Sequence, residues 1–402
     1  MLSFEEALEL IEASVQPAVA TTVRLADSLG LALAAAIVSD SDSPPFDKAL
    51  MDGFAVRASD LADPETCFEI VGELTAGQVP DRVVGTREAV RIMTGAPIPD
   101  GSDAVVRIED AVVEGGQVRF AGDPVPAGRN VLRRGTAMRR GEAVIPAGRV
   151  LRAQELGLLA ELGRASVPVI PRPSVALLAT GDELVPVEQT PGPGQIRNSN
   201  ETMLQGQLSQ MGCDVDPLGI ARDDAEVLGE LIRKGLEHDV LCLSGGVSMG
   251  RLDLVPAALA SCGVREVFHK VHLKPGKPIW YGVLDAEDGR RRHIFGLPGN
   301  PVSSMVCCEL FVQTAVRRLS GRAPGRPVPA PAKLAAAYEQ RSDRPTFLPA
   351  RCEAGLEGRS VTPIGWKGSA DLRSTVDANC MAYFPAGPQD YSAGEIVDIY
   401  TW

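Results

Sequence analysis

The chain has 402 residues, 45% of them apolar and 23% charged, and a formal net charge of -12. That length exceeds what one core supports and predicts about three or four domains. The acidic balance excludes non-specific nucleic-acid binding, and no stretch reaches the ~18 consecutive apolar residues of a membrane span. The N-terminal "SFEEALELIEASV" is acidic rather than basic-then-apolar, so it does not read as a signal peptide.

Ser3 and Glu6 have capping-box spacing, and Phe4, Leu8, Ile11 and Val15 repeat at helical period. The chain is therefore expected to open on an amphipathic helix. From about residue 37 to 170, short Val- and Ile-rich runs alternate with Gly, Pro and Asp turns, which predicts small β domains. "RAQELGLLAELG" is a short helix within them, stopped by Gly163. After the Pro-rich "VPVIPRPSV" the pattern changes to strands alternating with helices: "SVALLAT", "NSNETMLQGQLSQMG" capped at or near Asn200, "CDVDPLGI", "DAEVLGELIRKGLEH", "DVLCLS", "DLVPAALASCG". This alternation predicts a parallel sheet covered on both faces. One long helix, "NPVSSMVCCELFVQTAVRRLSG", closes the segment. Pro-rich "RAPGRPVPAPA" leads to a last run of short strands, expected to be a small β-barrel or sandwich.

Eight cysteines are scattered without any C-x-x-C pair, most of them in apolar runs. A zinc cage is not expected, and a reduced, cytoplasmic protein is.

Ligands of open parallel sheets bind outside the carboxyl ends of the strands. Four such ends carry unusual loops here: "TGDEL", "ARDD", "SGGVSMGRLD" and "GLPGNP". Ser244, Gly245, Gly246 and Ser248 form a small-residue turn that lets backbone N–H groups approach an anion. Asn300 and Pro301 are a favoured N-cap and first helical residue, presenting a helix N-terminus to the crevice just after Pro298. Lys270, His272 and Lys274 alternate, which in a strand puts them on one face, and Lys277 follows the turn. His269 and His272 are thereby on opposite faces and are not a metal pair. Asp182, Glu183, Asp223, Asp224 and Asp253 crowd the same rim. Acids beside an anion site suit a divalent cation bridging protein and phosphate. Asp223, Asp224 and Asp253 are equally placed to cap the helices that follow them.

"PPFDKALMDGFAVRASD", "MTGAPIPDGSDAVVRIED", "ATGDELV", "GIARDD", "LSGGVSMGRLD", "KPGKPIWYG" and "GLPGNPVSS" together resemble, in order and over essentially the whole chain, the motifs of the molybdopterin molybdenumtransferases, the MoeA and gephyrin E-domain family. The resemblance implies a multidomain fold of α/β plus β class. Its parts would be an elongated domain I (1–44 and 139–168), a β domain II (45–138), a three-layer α/β molybdopterin-binding domain III (169–322) and a C-terminal β-barrel domain IV (323–402). It implies insertion of molybdate into adenylylated molybdopterin with release of AMP, using Mg2+. It also implies a homodimer with domain II of one chain facing domain III of the other, and transient contact with the molybdopterin adenylyltransferase. A tungstate-inserting paralogue and a non-catalytic pterin-binding scaffold are the alternatives. Carried over motif by motif, Asp52, Thr94, Glu183, Asp224 and Asp253 are expected to be catalytic, the last three as metal ligands. Substrate is expected at Ser244, Gly245, Gly246, Ser248, Lys270, Lys274, Lys277, Pro298, Asn300, Pro301, Arg351 and Ser369. The chain departs from the family at Lys48 and Leu50, and at Thr136 and Ala137, which replace a usual Glu-Asp pair.

Overall fold

The computed structural model describes residues 1–222, 224–246, 254–356 and 358–402. They form two compact units, one of Met1–Ala35, Gly148–Leu156 and Ala165–Trp402, the other of Ala36–Ala147 and Gly157–Arg164.

The larger unit is organised around a six-stranded sheet: β1 Ser174–Thr180, β2 Asp214–Ala221, β3 Val240–Ser244, β4 Arg265–His269, β5 Trp280–Asp285 and β6 Arg291–Leu297. Their spatial order is β2-β1-β3-β6-β5-β4. β1, β2, β3 and β6 are mutually parallel, as the alternation of strands and helices predicts. The expectation of a wholly parallel sheet is corrected at β5, which runs antiparallel to both β6 and β4. β5 and β6 are joined by a tight turn through Asp288 and Gly289, the latter at φ +77°. A turn that short can only return the chain antiparallel.

β1 and β3 are buried along almost their whole length, because helices cover both faces of the sheet. On one face Leu228, Ile232, Val255 and Leu259 pack against Ala176, Leu178, Leu241 and Ile294. On the other, Leu204, Leu208, Val302, Val306 and Phe311 pack against Val175, Cys242 and Phe295. The N-terminal helix Phe4–Ser14 has the expected capping box, with Glu6 N–H donating to Ser3 Oγ at 3.1 Å and Ser3 N–H donating to Glu6 Oε2 at 2.7 Å. Phe4 inserts among Phe311, Phe347 and Tyr400, with ring centroids 5.9, 4.9 and 6.4 Å away. One aromatic side chain thus ties the first helix to the long helix and to the C-terminal strands.

Those strands, Ala330–Leu334, Gly358–Pro363, Thr346–Gly355, Cys380–Phe384 and Ile396–Thr401, close into a barrel. This unit also holds a three-stranded sheet of Thr21–Arg24, Ser166–Ile170 and Ala32–Leu33 and two strand pairs, Leu184–Val185 with Ile196–Arg197 and Tyr338–Gln340 with Gln389–Tyr391. The smaller unit is built on a sheet of Ala104–Arg107, Gly53–Val56, Glu88–Ile92, Phe68–Leu74, Gln117–Phe120 and Ala111–Glu114, in that order. Its two faces bury separate clusters, one around Ala55, Val90 and Ile92, the other around Phe54, Phe68 and Val118. Among the described residues no helix is long and apolar enough to cross a membrane.

The long helix expected from Asn300 onward is not uniform. Pro301–Cys307 passes through a π-helical turn, Cys308–Val312, before Gln313–Leu319 resumes α geometry. Glu309 lies in that turn at 6% exposure, accepting from the Gln207 and Gln313 amides at 2.9 and 3.1 Å. Burial pushes its carboxyl up to about 7. His293, at 1% exposure and 2.9 Å from the Tyr281 hydroxyl, is pushed the other way by burial, to about 4.

The two groups act on stability with opposite sign. Folded Glu309 keeps a proton that the unfolded chain has released, so its contribution is complete below pH 4.5 and lost as pH rises to about 7. Folded His293 refuses a proton that the unfolded chain takes up, so its contribution is complete above pH 6.5 and lost as pH falls to about 4. Between these limits the two slopes largely cancel. Glu309→Gln should remove one of them and leave stability rising with pH by up to about 3 kcal/mol across the acid range. Urea unfolding of both chains from pH 4 to 7 measures this; parallel pH profiles would refute it.

Candidate active-site cleft

The loops leaving β1, β3 and β6 surround a cleft of about 870 Å3 in the larger unit. Glu183 follows β1 on its wall, Ser244 and Gly245 stand at the end of β3, and Pro298, Asn300 and Pro301 at the end of β6. Lys274 and Lys277 bracket Gly276 on another wall, and Ser369 arrives from the C-terminal region. Nine of the residues expected from sequence therefore share one cavity.

Local chemistry explains how these loops are held. Gly245 has φ +96°, and a Cβ there would stand 2.6 Å from the Thr180 carbonyl oxygen, so glycine lets the β3 exit pass directly over β1. Gly246 continues at φ +64°, with the Thr180 hydroxyl at 2.7 Å from where a Cβ would be. Gly276 turns at φ +109° with the Cys307 thiol 2.5 Å from any added Cβ, which fixes the bend between the two lysines. The C-terminal region closes the same side. Lys274 N–H donates to the Pro345 carbonyl and Phe347 N–H to the Lys274 carbonyl, each at 2.8 Å. Val302 N–H donates to the Ser369 carbonyl at 3.0 Å.

Several expectations are corrected here. β4 ends at His269, and Lys270 turns away with φ +71°. The segment that follows keeps alternating burial, with Val271 and Leu273 buried, but it is held by isolated bridges to Leu2 and Thr346 rather than as a strand. Lys270 does not line the cleft, whereas Lys274 and Lys277 do. Pro301 takes the first helical position, but the Asn300 side chain makes no cap bond and instead donates to Ser369 Oγ at 2.8 Å. Asn198, not Asn200, caps the helix Ser199–Gln210, accepting from Glu201 N–H at 3.3 Å. Asn200 instead donates to Ser244 Oγ and to the Gly299 carbonyl, both at 2.8 Å.

Asp224 Oδ1 accepts from the N–H groups of Glu226 and Val227 at 2.9 and 3.0 Å, so it caps the helix Ala225–Gly235. Arg351 lies on a barrel strand, exposed and paired with Glu353 at 3.0 Å, outside the cleft lining. Ser248 and Asp253, like Asp223, lie outside the described residues. Sequence reasoning missed Thr180, Arg197, Arg344 and Trp366, all lining residues. The guanidinium of Arg344 is held by the Leu273 carbonyl at 3.0 Å and that of Arg197 by the Val187 carbonyl at 3.0 Å.

The electrostatics are lopsided. Among the described residues no carboxylate lies within 4.0 Å of Lys274 or Lys277, although the chain has many such pairs elsewhere. Lys274, Lys277, Arg197 and Arg344 face a cavity whose described lining includes one acid, Glu183. Arg344 has a carboxylate partner, Asp343 at 3.8 Å, but Lys274 and Lys277 have none among the described residues, and such uncompensated cations beside a glycine turn suit a multiply anionic ligand. No three His, Cys, Asp or Glu side chains cluster as a metal cage among the described residues. This donor set does not fit a dedicated protein cage. It does fit a magnesium ion carried mainly by a ligand's phosphates, because Mg2+ commonly takes only one or two carboxylates from protein. No cysteine is among the described residues lining the cleft, and Cys213 and Cys242 are buried in the sheet core, where burial pushes the Cys213 thiol up to about 12.

In the smaller unit, Asp52 and Thr94, named from two separate motifs, are hydrogen-bonded to each other. Asp52 Oδ1 accepts from the Thr94 N–H at 2.7 Å and from its hydroxyl at 2.8 Å. The backbone bond first, and the hydroxyl second, hold the Asp52 carboxyl below its ordinary range, so it stays an anion. Thr136 and Ala137 sit in a turn, with Ala137 N–H on the Ser43 carbonyl at 2.9 Å.

Comparison with known proteins fixes the family. Residues 2–163 match "MoeA N-terminal region (domain I and II)", 176–318 match "Probable molybdopterin binding domain", and 331–402 match "MoeA C-terminal region (domain IV)". The chain belongs to the MoeA family. A molybdopterin molybdenumtransferase of Staphylococcus aureus is 34% identical over 98% of this chain and 94% of its own. The enzyme of the same name from Synechococcus elongatus is 35% identical over 99% of both. A crystal structure of a MoeA molybdopterin biosynthesis protein from Pyrococcus horikoshii superposes with a TM-score of 0.85 at 29% identity, covering all of both chains. Within this MoeA-type chain, the matched molybdopterin-binding segment spans the strands whose ends build the cleft.

Proposed function

We propose that this chain is a molybdopterin molybdenumtransferase acting in molybdenum cofactor biosynthesis. It takes adenylylated molybdopterin and molybdate, releases AMP, and leaves molybdenum on the pterin's dithiolene. The observation that carries this reading is the pair Lys274 and Lys277, uncompensated by any described carboxylate, in a family-matched cleft at the strand ends. A phosphoanhydride bridge and a tetrahedral oxyanion both need such cations and glycine-lined backbone donors. The dithiolene sulfurs are themselves soft ligands, so a cleft lined by no described cysteine is compatible with metal transfer.

Magnesium belongs to the proposal. Glu183, with the ligand's own phosphate oxygens, would hold it, and it would neutralise charge at the phosphate bridge. Asp224 and Asp253 are proposed as further ligands, Asp224 through the carboxylate oxygen not engaged in the helix cap. A homodimer that receives its substrate from the molybdopterin adenylyltransferase is also part of the reading, and the mass of the purified chain in solution addresses the dimer.

The deciding experiment incubates the chain with adenylylated molybdopterin and either molybdate or tungstate, with magnesium or with chelator, and measures AMP. Oxyanion-stimulated AMP release that chelator suppresses is expected. No release with either oxyanion would leave a pterin-binding scaffold, release with tungstate alone would mark the tungstate paralogue, and full release in chelator would remove magnesium from the scheme.

A further inference from the structure

Asn200 lines the cleft, yet it is not the helix cap its position suggests, and its carboxamide has a different task. Its Nδ2 lies 2.8 Å from the Gly299 carbonyl oxygen and 2.8 Å from Ser244 Oγ. A carbonyl oxygen can only accept, so the amide orientation is fixed and both of its protons are used. Ser244 Oγ accepts one of them. The Ser244 hydroxyl proton is therefore directed away from Asn200, and among the described residues it has no acceptor. Ser244 is 6% exposed, lines the cleft and ends β3. The Gly245 N–H on the Leu297 carbonyl, at 3.1 Å, ties the same two strand ends together. A buried hydroxyl held as an acceptor on one side is left with a proton for something else in the cavity.

We infer that Asn200 is a positioning residue that aims the Ser244 hydroxyl proton at an anionic oxygen of the ligand, while anchoring the β6 exit through Gly299. The inference rests on the proposed reading that the cleft takes a phosphate-bearing pterin. It adds a neutral, oriented donor to the lysines, and its contribution should persist at salt concentrations that screen theirs.

The test is a double-mutant cycle on binding of adenylylated molybdopterin, using Asn200→Ala, Ser244→Ala and the pair. A hydrogen bond to a charged oxygen predicts a loss of about 10-fold or more for each single change. If Asn200 works through Ser244, the pair should lose no more than about 2-fold beyond the worse single variant. Asn200→Asp should be worse than Asn200→Ala, because its carboxylate takes the Ser244 proton for itself and adds negative charge beside an anion. It also keeps the side-chain volume, so the cycle can be run on it if Asn200→Ala does not fold. Losses that multiply to about 100-fold in the pair, or unchanged affinity in Asn200→Ala, would overturn the positioning role. Tight binding by the unaltered chain together with a multiplicative cycle overturns this inference alone; no binding by the unaltered chain overturns the functional reading and this inference with it.

Discussion

Replacing Lys274 and Lys277 together by alanine should weaken binding of adenylylated molybdopterin by at least about a hundredfold, since each charge-assisted contact contributes about 1.5–3 kcal/mol. No described carboxylate pairs with either lysine, so removing them strands no acid and relieves no existing bond. The loss is then a loss of ligand contact rather than of fold, and the melting temperature should stay close to the original. The dependence on salt provides the second readout. Exposed charge contacts weaken with ionic strength, so the unaltered chain should lose affinity along a salt series and the double variant much less. Equal affinities at every salt concentration would reduce Lys274 and Lys277 to surface residues, whatever the cavity around them. Calorimetry or competition binding over the series measures both effects.

Gly53→Ala should be the most damaging small substitution in the smaller unit. Gly53 pairs with Ile92 on one side and Arg107 on the other, so its strand cannot shift without breaking a ladder. A Cβ there would be driven into the Val106 carbonyl oxygen, with the Arg107 Cα at 3.0 Å. The obstacle is backbone, which cannot swing aside as a flexible side chain would. A destabilisation of about 3 kcal/mol or more is expected. Asp52 is the next residue, so the grip of Thr94 on its carboxylate should be lost in the same variant. Thermal unfolding checks this, and a melting temperature within ~2 °C of the original would show that the sheet absorbs the methyl group.

Gly53 also shows why parts of the chain are readable from sequence. The "MDGFA" motif combines a glycine required by close strand packing with an acid held by a distant threonine. β1 and β3 were legible because strands buried on both faces are continuous apolar runs. The closed barrel was foreseeable as a set of short strands, and three of the four expected cleft loops as breaks after apolar runs; the fourth, "ARDD" after β2, contributes no described residue to the cleft lining.

What was not legible has identifiable causes. The antiparallel β5 carried its own signal, Asp288-Gly289 between two apolar runs, but strand-helix alternation outweighed it. Asn198, Ser199 and Asn200 are all good helix caps, so composition cannot say which one caps and which is free to bridge loops. Lys270 and Lys274 alternate as strand residues do, but a positive φ at Lys270 ends the strand, and no periodicity announces that. Arg344 and Trp366 reach the cleft only because the C-terminal region folds back onto Lys274, a long-range event that no local pattern encodes.

The π-helical turn at Cys308–Val312 acts as a phase shifter within one rod. An additional residue rotates everything beyond it by ~100° relative to an uninterrupted α-helix. The turns before it, with Val302 and Val306, meet the sheet; the turns after it, with Val316 and Leu319, meet their own neighbours in the same core. The rod is buried on every side from Val302 to Val312, so the turn sets the phase in which the later half meets that core. A substitution that restored unbroken α geometry would turn Val316 and Leu319 away from their present neighbours while leaving the helix start at Pro301, on the cleft wall, in place.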